Sequence, residues 1–161
     1  MTETELKNYI AAIRPADRDA MAAARQRQAQ LAKPPGSLGA LEDMSVRLAG
    51  VTGRVCPPMN RCRVAVFAAD NGVVDEGVSC APRSVTVQQA INMTRRKTGM
   101  SAMAAAFGDD VAVVDVGMDC GTTPAGILNR RVRRSTGDIA IEDAMTRPQA
   151  LAAIAAGMEQ A

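Results

Sequence analysis

The sequence predicts an α/β protein: an incomplete doubly wound, Rossmann-like parallel sheet flanked by helices, with an N-terminal helical segment in front of it. Three observations carry that prediction. Two short apolar runs, "RCRVAVFAAD" at 61–70 and "DVAVVDVGMD" at 110–119, each end in an acidic turn. Roughly forty residues of mostly helical pattern separate them, which is the make-up of a βαβ unit. The chain ahead of the first run reads only as helix and turn. The expected organisation is a helical segment at 1–53 and a partial α/β domain at 54–161. Two strands fall short of the usual sheet of about four to six. Further strands are therefore expected from another chain, a second copy or sequence not included here.

Element by element, Pro15 and Asp17 mark a helix start, and Met21, Ala24, Gln28 and Leu31 follow at helical spacing. "KPPGSLG" ends that helix, because two prolines and two glycines cannot continue it. Ser37 is the expected cap of the next helix, with Leu41, Met44, Ser45 and Leu48 on one face and Gly50 and Gly53 closing it. Residues 63–69, rich in Val and Phe, predict a buried strand. From Pro82 the pattern turns helical, with Thr86 and Gln89 as a capping box. A helix over 99–107 places Met100, Met103, Ala104 and Phe107 on a core face before Gly108. The last helix is capped by Thr146, with Pro148 in its first turn, Gln149 reaching back, and Leu151, Ile154, Ala155 and Met158 on one face.

Composition narrows the chemistry. Histidine is absent, which removes every imidazole base, His-bearing triad and His metal ligand. The four cysteines, Cys56, Cys62, Cys80 and Cys120, lie too far apart for a zinc ribbon. No metal and no cofactor is expected, and no residue is assigned a catalytic role. Nineteen basic against seventeen acidic residues give a net charge of +2, too near balance to argue for nucleic acid. No stretch has the length of a membrane span or the pattern of a signal peptide, so a cytoplasmic location with reduced cysteines is expected.

Five segments hold the candidate functional residues. The loop "VFAADNGVVDEGVS" at 66–79 offers Asp70, Asn71, Asp75 and Glu76, with Gly72 and Gly77 able to bring backbone close to a ligand. Its carboxylates match no metal-loop signature and equally suit loop-holding and capping roles. Asp70, Asp115 and Asp119 are expected along one crevice, where open parallel sheets bind ligands. Either Gln88 or Gln89 can point an amide into it. "LAKPPGSLGALE" at 31–42 reads as a rigid linker or as a segment presenting Lys33 to a phosphate or carboxylate. The basic run "NRRVRRSTG" at 129–137 reads as a solvated face or as a site for a phosphate or acidic ligand.

Together "LAKPPGSLGALE", "VFAADNGVVDEGVS", "SVTVQQAINM", "VAVVDVGMD" and "DAMTRPQAL" resemble, in order and spacing, the N-terminal half of the nicotinate-nucleotide:dimethylbenzimidazole phosphoribosyltransferase family, from about residue 13 onward. The resemblance implies a large doubly wound α/β domain with a smaller helical one. It also implies transfer of the phosphoribosyl group of nicotinate mononucleotide to a benzimidazole nitrogen, with inversion at the ribose carbon. By resemblance, Ser79, Pro82 and Gln88 match the segment lining the base pocket, with Gln88 on the aromatic base. Asp70 and Gly72 match the strand-end turn behind it, and 33–39 the proline-glycine segment.

Two departures stand out: Asn71 replaces the histidine of the family's "DHG", and Ala81 stands where an aromatic residue is common. The "GEMGIGNTT"-like nucleotide segment and the glutamate base of the family match no residues here. The implied partners are a benzimidazole-type base, nicotinate mononucleotide, and a C-terminal-half protein or a second copy in a homo-oligomer, with no membrane and no nucleic acid. The competing expectation is a non-catalytic binder of a benzimidazole or cobamide precursor.

Overall fold

The computed structural model describes residues 1–59 and 62–161. They form two compact units, one of Asn8–Asn60 and one of Met1–Lys7 with Arg61–Ala161. The elements run α1 (Glu3–Ala11), α2 (Arg18–Gln30), α3 (Ala40–Thr52), β1 (Arg63–Ala69), a 3-10 turn (Gly72–Glu76), α4 (Ser84–Thr94), α5 (Gly99–Phe107), β2 (Asp110–Gly117), β3 (Leu128–Asn129) and α6 (Arg147–Met158).

In the first unit α2 begins where its sequence predicts, because the Asp17 carboxylate accepts from the backbone N–H groups of Asp19 and Ala20. The core between α2 and α3 is Ala24, Val46 and Ala49, with Met21 and Val55 against it. The expected face of α3 is corrected: Leu41 and Met44 are exposed, and Val46, Ala49 and Gly50 are buried. Ser37 does not cap α3 either. Residues 34–39 form two successive turns, Ser37 N–H to Pro34 O and Gly39 N–H to Gly36 O, so the helix starts only after Gly39. Glu42 then reaches back to the Leu38 N–H at 3.2 Å and to Lys33 Nζ at 2.6 Å. Lys33 is thereby a strut of its own turn, and the rigid-linker reading of "LAKPPGSLGALE" fits this geometry.

In the second unit β1 and β2 pair in parallel from Arg63↔Asp110 to Ala68↔Asp115, and a bulge at Ala68/Ala69 shifts the last pair to Ala69↔Gly117. The connection through α4 and α5 makes the predicted βαβ unit. β3 adds a parallel pair on the far side of β2, giving the order β1-β2-β3 in an open sheet. β2 is the interior strand, and Val113, Val114 and Asp115 on it are buried. Ala90 of α4, Val113, Met118 and Ile127 form the core. β1 is paired on one side only among the described residues, and it alternates exposed with half-buried positions instead of being buried; Phe67 is 44% exposed.

α5 has its capping box at Thr98 and Ser101 and a left-handed Gly108 at its end, as the sequence predicts for its close. Its core face is different from the expected one. Ser101 and Ala104 are buried, while Met103 and Phe107 are 63% and 78% exposed. α6 carries the predicted Thr146/Gln149 box with Pro148 in its first turn. Leu151 and Ala156 are its buried residues, and Ile154 is exposed. No helix among the described residues is long and apolar enough to cross a membrane.

Candidate functional site

The carboxyl ends of β1 and β2 meet at the bulge, where the Asp70 N–H donates to Gly117 O at 3.1 Å. From there β1 runs through the 3-10 turn into α4, and the three segments enclose a cleft of about 290 Å³. That is the small end of the range for ligand pockets, roughly 300–1,000 Å³. The turn and the loop after it contribute Val73, Val74, Val78 and Ser79; the approach to α4 contributes Ala81, Pro82 and Arg83; the helix contributes Val85, Thr86 and Gln89. Asp70 and Asn71, at the end of β1, complete the lining. The lining is mixed, with Val73, Val74, Val78, Val85, Ala81 and Pro82 interspersed with the polar side chains of Asp70, Asn71, Ser79, Arg83, Thr86 and Gln89.

Asp70 is buried and both its oxygens are occupied. Oδ1 accepts from Thr86 Oγ1 at 2.6 Å and Oδ2 from the Asp119 N–H at 2.7 Å. This explains why Thr86 is no helix cap: it stands inside α4, which begins at Ser84, and its hydroxyl is drawn to the carboxylate. Asp70 thus pins the first turn of α4 to the ends of β1 and β2.

Gly72 lies behind the cleft. An added Cβ there would stand 2.6 Å from Asp138 N and from Gly137 C, and its N–H donates to Thr136 Oγ1 at 3.1 Å. The missing side chain at Gly72 is needed for the approach of the 137–138 backbone. Ser79 and Pro82 line the cleft, and the Ser79 hydroxyl donates to Ala81 O at 2.9 Å while accepting from the Ala81 N–H.

Gln88 and Gln89 are both exposed, and of the two it is Gln89 that lines the cleft. The reason is helical phase. Gln89 follows Val85 by four and Thr86 by three and shares their face, whereas Gln88 is turned about 100° away from Gln89. That spacing was the signal in the sequence that separates the two amides.

Asp115 does not share the crevice. It is 0% exposed, Oδ1 accepting from the N–H groups of Gly117 and Met118 and Oδ2 from Thr123 Oγ1 at 2.6 Å and Arg131 Nε and Nη2 at 3.0 and 2.7 Å. Burial pushes its carboxyl up, but the Arg131 guanidinium, the Thr123 hydroxyl and the Met118 N–H outweigh it and hold the group below the usual carboxylate range. Of the basic run, Arg131 is turned inward, while Arg130 and Arg134 form their pairs at the exposed surface. Arg131 pairs with Asp115, Arg134 with Asp119 at 2.8 Å, and Arg130 with Glu159. These three arginines are ion-pair partners of the fold itself. No cluster of three potential metal ligands occurs among the described residues.

Known proteins share this architecture. A family model described as "Phosphoribosyltransferase" matches residues 13–161. The nicotinate-nucleotide–dimethylbenzimidazole phosphoribosyltransferase of Yersinia enterocolitica is 46% identical over 145 residues, covering 90% of this chain and 41% of that protein. The protein of the same name from Geobacter sp. (strain M21) is 42% identical over 154 residues, covering 95% of this chain and 44% of its own length. The crystal structure of the Thermus thermophilus protein so named superposes with a TM-score of 0.78 at 43% identity, over 89% of this chain and 44% of that one. The chain therefore spans less than half the length of these relatives. Within that span the match is nearly continuous, and the chain belongs to the phosphoribosyltransferase family.

Proposed function

We propose that this stretch forms the base-side half of a site that transfers a phosphoribosyl group from nicotinate mononucleotide to 5,6-dimethylbenzimidazole. The observation that carries the reading is the valine-walled cleft at the carboxyl end of β1 with the Gln89 side chain in its lining. A flat, largely apolar heterocycle suits such walls, and an amide can hydrogen-bond one ring nitrogen while the other stays available as nucleophile. The relatives carry the named activity over a length more than twice that matched here, which supports the reaction class.

In the transfer, the acceptor nitrogen forms a bond to the ribose carbon as the bond to the nicotinate nitrogen breaks, and the acceptor gives up its proton. Holding the base in line with the sugar carbon is the contribution assigned to this stretch. The phosphate cradle and the proton acceptor are assigned to the part of the relatives that it does not span, whether on this polypeptide or another. Asp70 and Gly72 act through position, tying the cleft floor to the sheet, and Ser79 and Pro82 act as wall. Asn71, in place of a titratable ring, can hydrogen-bond from the cleft lining but cannot move a proton near neutral pH.

Calorimetric titration of the chain with 5,6-dimethylbenzimidazole is expected to give saturable binding, and no saturable heat at millimolar ligand overturns the reading. Nicotinate release from nicotinate mononucleotide is expected only when a protein spanning the rest of the relatives' length is added. No release despite a demonstrated folded complex counts against transfer.

A further inference from the structure

Arg83 is the cation in the cleft lining, and it reaches across the rim. Its Nη2 donates to Asp75 Oδ2 at 2.9 Å and to Gly72 O at 3.4 Å, both in the 3-10 turn, while Nη1 lies 3.5 Å from Asp119 Oδ2 beyond the end of β2. Asp119 is itself fixed by Arg134 and by its N–H on Asp70. One side chain at the start of α4 therefore ties the helix to the 3-10 turn and to the segment after β2. Its Nε is buried without a partner among the described residues. That cost, together with the small return from ion pairs at a partly exposed rim, argues against global stability as the reason for its placement.

We infer that Arg83 is a positioning residue that sets the cleft width and so selects among flat aromatic bases by the bulk of their edge. The inference rests on the base-side reading above. The 3-10 turn carries Val73 and Val74, and α4 carries Val85. Drawing the turn toward the helix start holds these apolar walls at one separation, against which methyl groups on a ring edge pack or fail to pack. A planar guanidinium can address the turn and Asp119 in two directions at once, which an ammonium point charge does less well.

The test compares 5,6-dimethylbenzimidazole with unsubstituted benzimidazole by calorimetry on the full chain and its Arg83→Gln and Arg83→Lys variants, with amide hydrogen exchange of residues 72–79 measured without ligand. Arg83→Gln is expected to weaken the dimethyl ligand roughly fivefold and the unsubstituted one less than about twofold, with Arg83→Lys between it and the wild type. Exchange in the turn is expected to quicken in Arg83→Gln while the melting temperature stays close to that of the wild type. Equal weakening of both ligands, unchanged affinities, or unchanged exchange overturns the inference. If the wild type binds neither ligand, the base-side reading and the selection of bases fall together, and the exchange measurement alone still upholds or overturns the clamp.

Discussion

Gly72→Ala is expected to destabilise the second unit by about 3 kcal/mol, lowering the thermal midpoint by roughly 6–12 °C. The new Cβ would meet backbone atoms, Asp138 N and Gly137 C at 2.6 Å and Gly137 O at 2.7 Å, which cannot swing aside as a flexible side chain can. Gly137 is itself hemmed in: a Cβ there would stand 2.5 Å from Asp143 O. The 137–138 segment has little room to retreat, so the strain is expected to pass back to the Gly72 N–H···Thr136 bond and loosen the 3-10 turn. Differential scanning calorimetry checks the midpoint, and a variant melting within about 2 °C of the wild type would show that the segment yields easily.

Arg131→Ala is expected to cost about 3–5 kcal/mol, because it leaves the fully buried Asp115 carboxylate without its ionic partner. The same variant removes the hydrogen bond from Arg131 Nη1 to Cys120 O at 2.8 Å, which ties down the turn after β2. The effect has a definite pH dependence. In the wild type the Asp115 carboxyl is held below its ordinary value of about 3.9, so its contribution is fully present above that pH and is lost as pH falls through the lower, folded-state value. In Arg131→Ala burial is opposed by fewer groups, the carboxyl is displaced upward relative to the wild type, and protonation relieves the penalty. The stability gap between the two proteins is thus expected to be widest near neutral pH and to close in acid, starting at a higher pH than the wild type's own loss. Urea unfolding at several pH values measures this; a gap independent of pH would remove the buried pair as its cause.

Much of this architecture was legible in the sequence, for identifiable reasons. β1 falls on residues 63–69 because a run of Val, Ala and Phe between breakers permits little else. The box at Thr146/Gln149 and the cap at Asp17 are local devices, so the starts of α6 and α2 follow from a few neighbouring residues. The apolar stripes were less informative. Met103, Phe107, Leu41 and Met44 have helical spacing, yet which face is buried is decided by neighbouring elements and not by the stripe alone. β3 escaped because two residues carry no periodicity.

The candidate site was legible as a neighbourhood and less so as a set of atoms. The crevice at the strand ends follows from the βαβ pattern, and Asp70, Ser79 and Pro82 line its cleft. Asp115 was misplaced because its partner Arg131 lies sixteen residues further along, beyond any local rule, and the ion pair that turns it inward is a tertiary event. The choice between Gln88 and Gln89 hung on a single step of helical phase, fixed by which residues of α4 face β1 and the 3-10 turn.

That step gives the most direct test of the base-side account. In titrations with 5,6-dimethylbenzimidazole, Gln89→Ala is expected to weaken binding about tenfold, the loss of one well-placed hydrogen bond, while Gln88→Ala leaves it unchanged. Binding lost with Gln88→Ala and kept with Gln89→Ala, or indifferent to both, would contradict it.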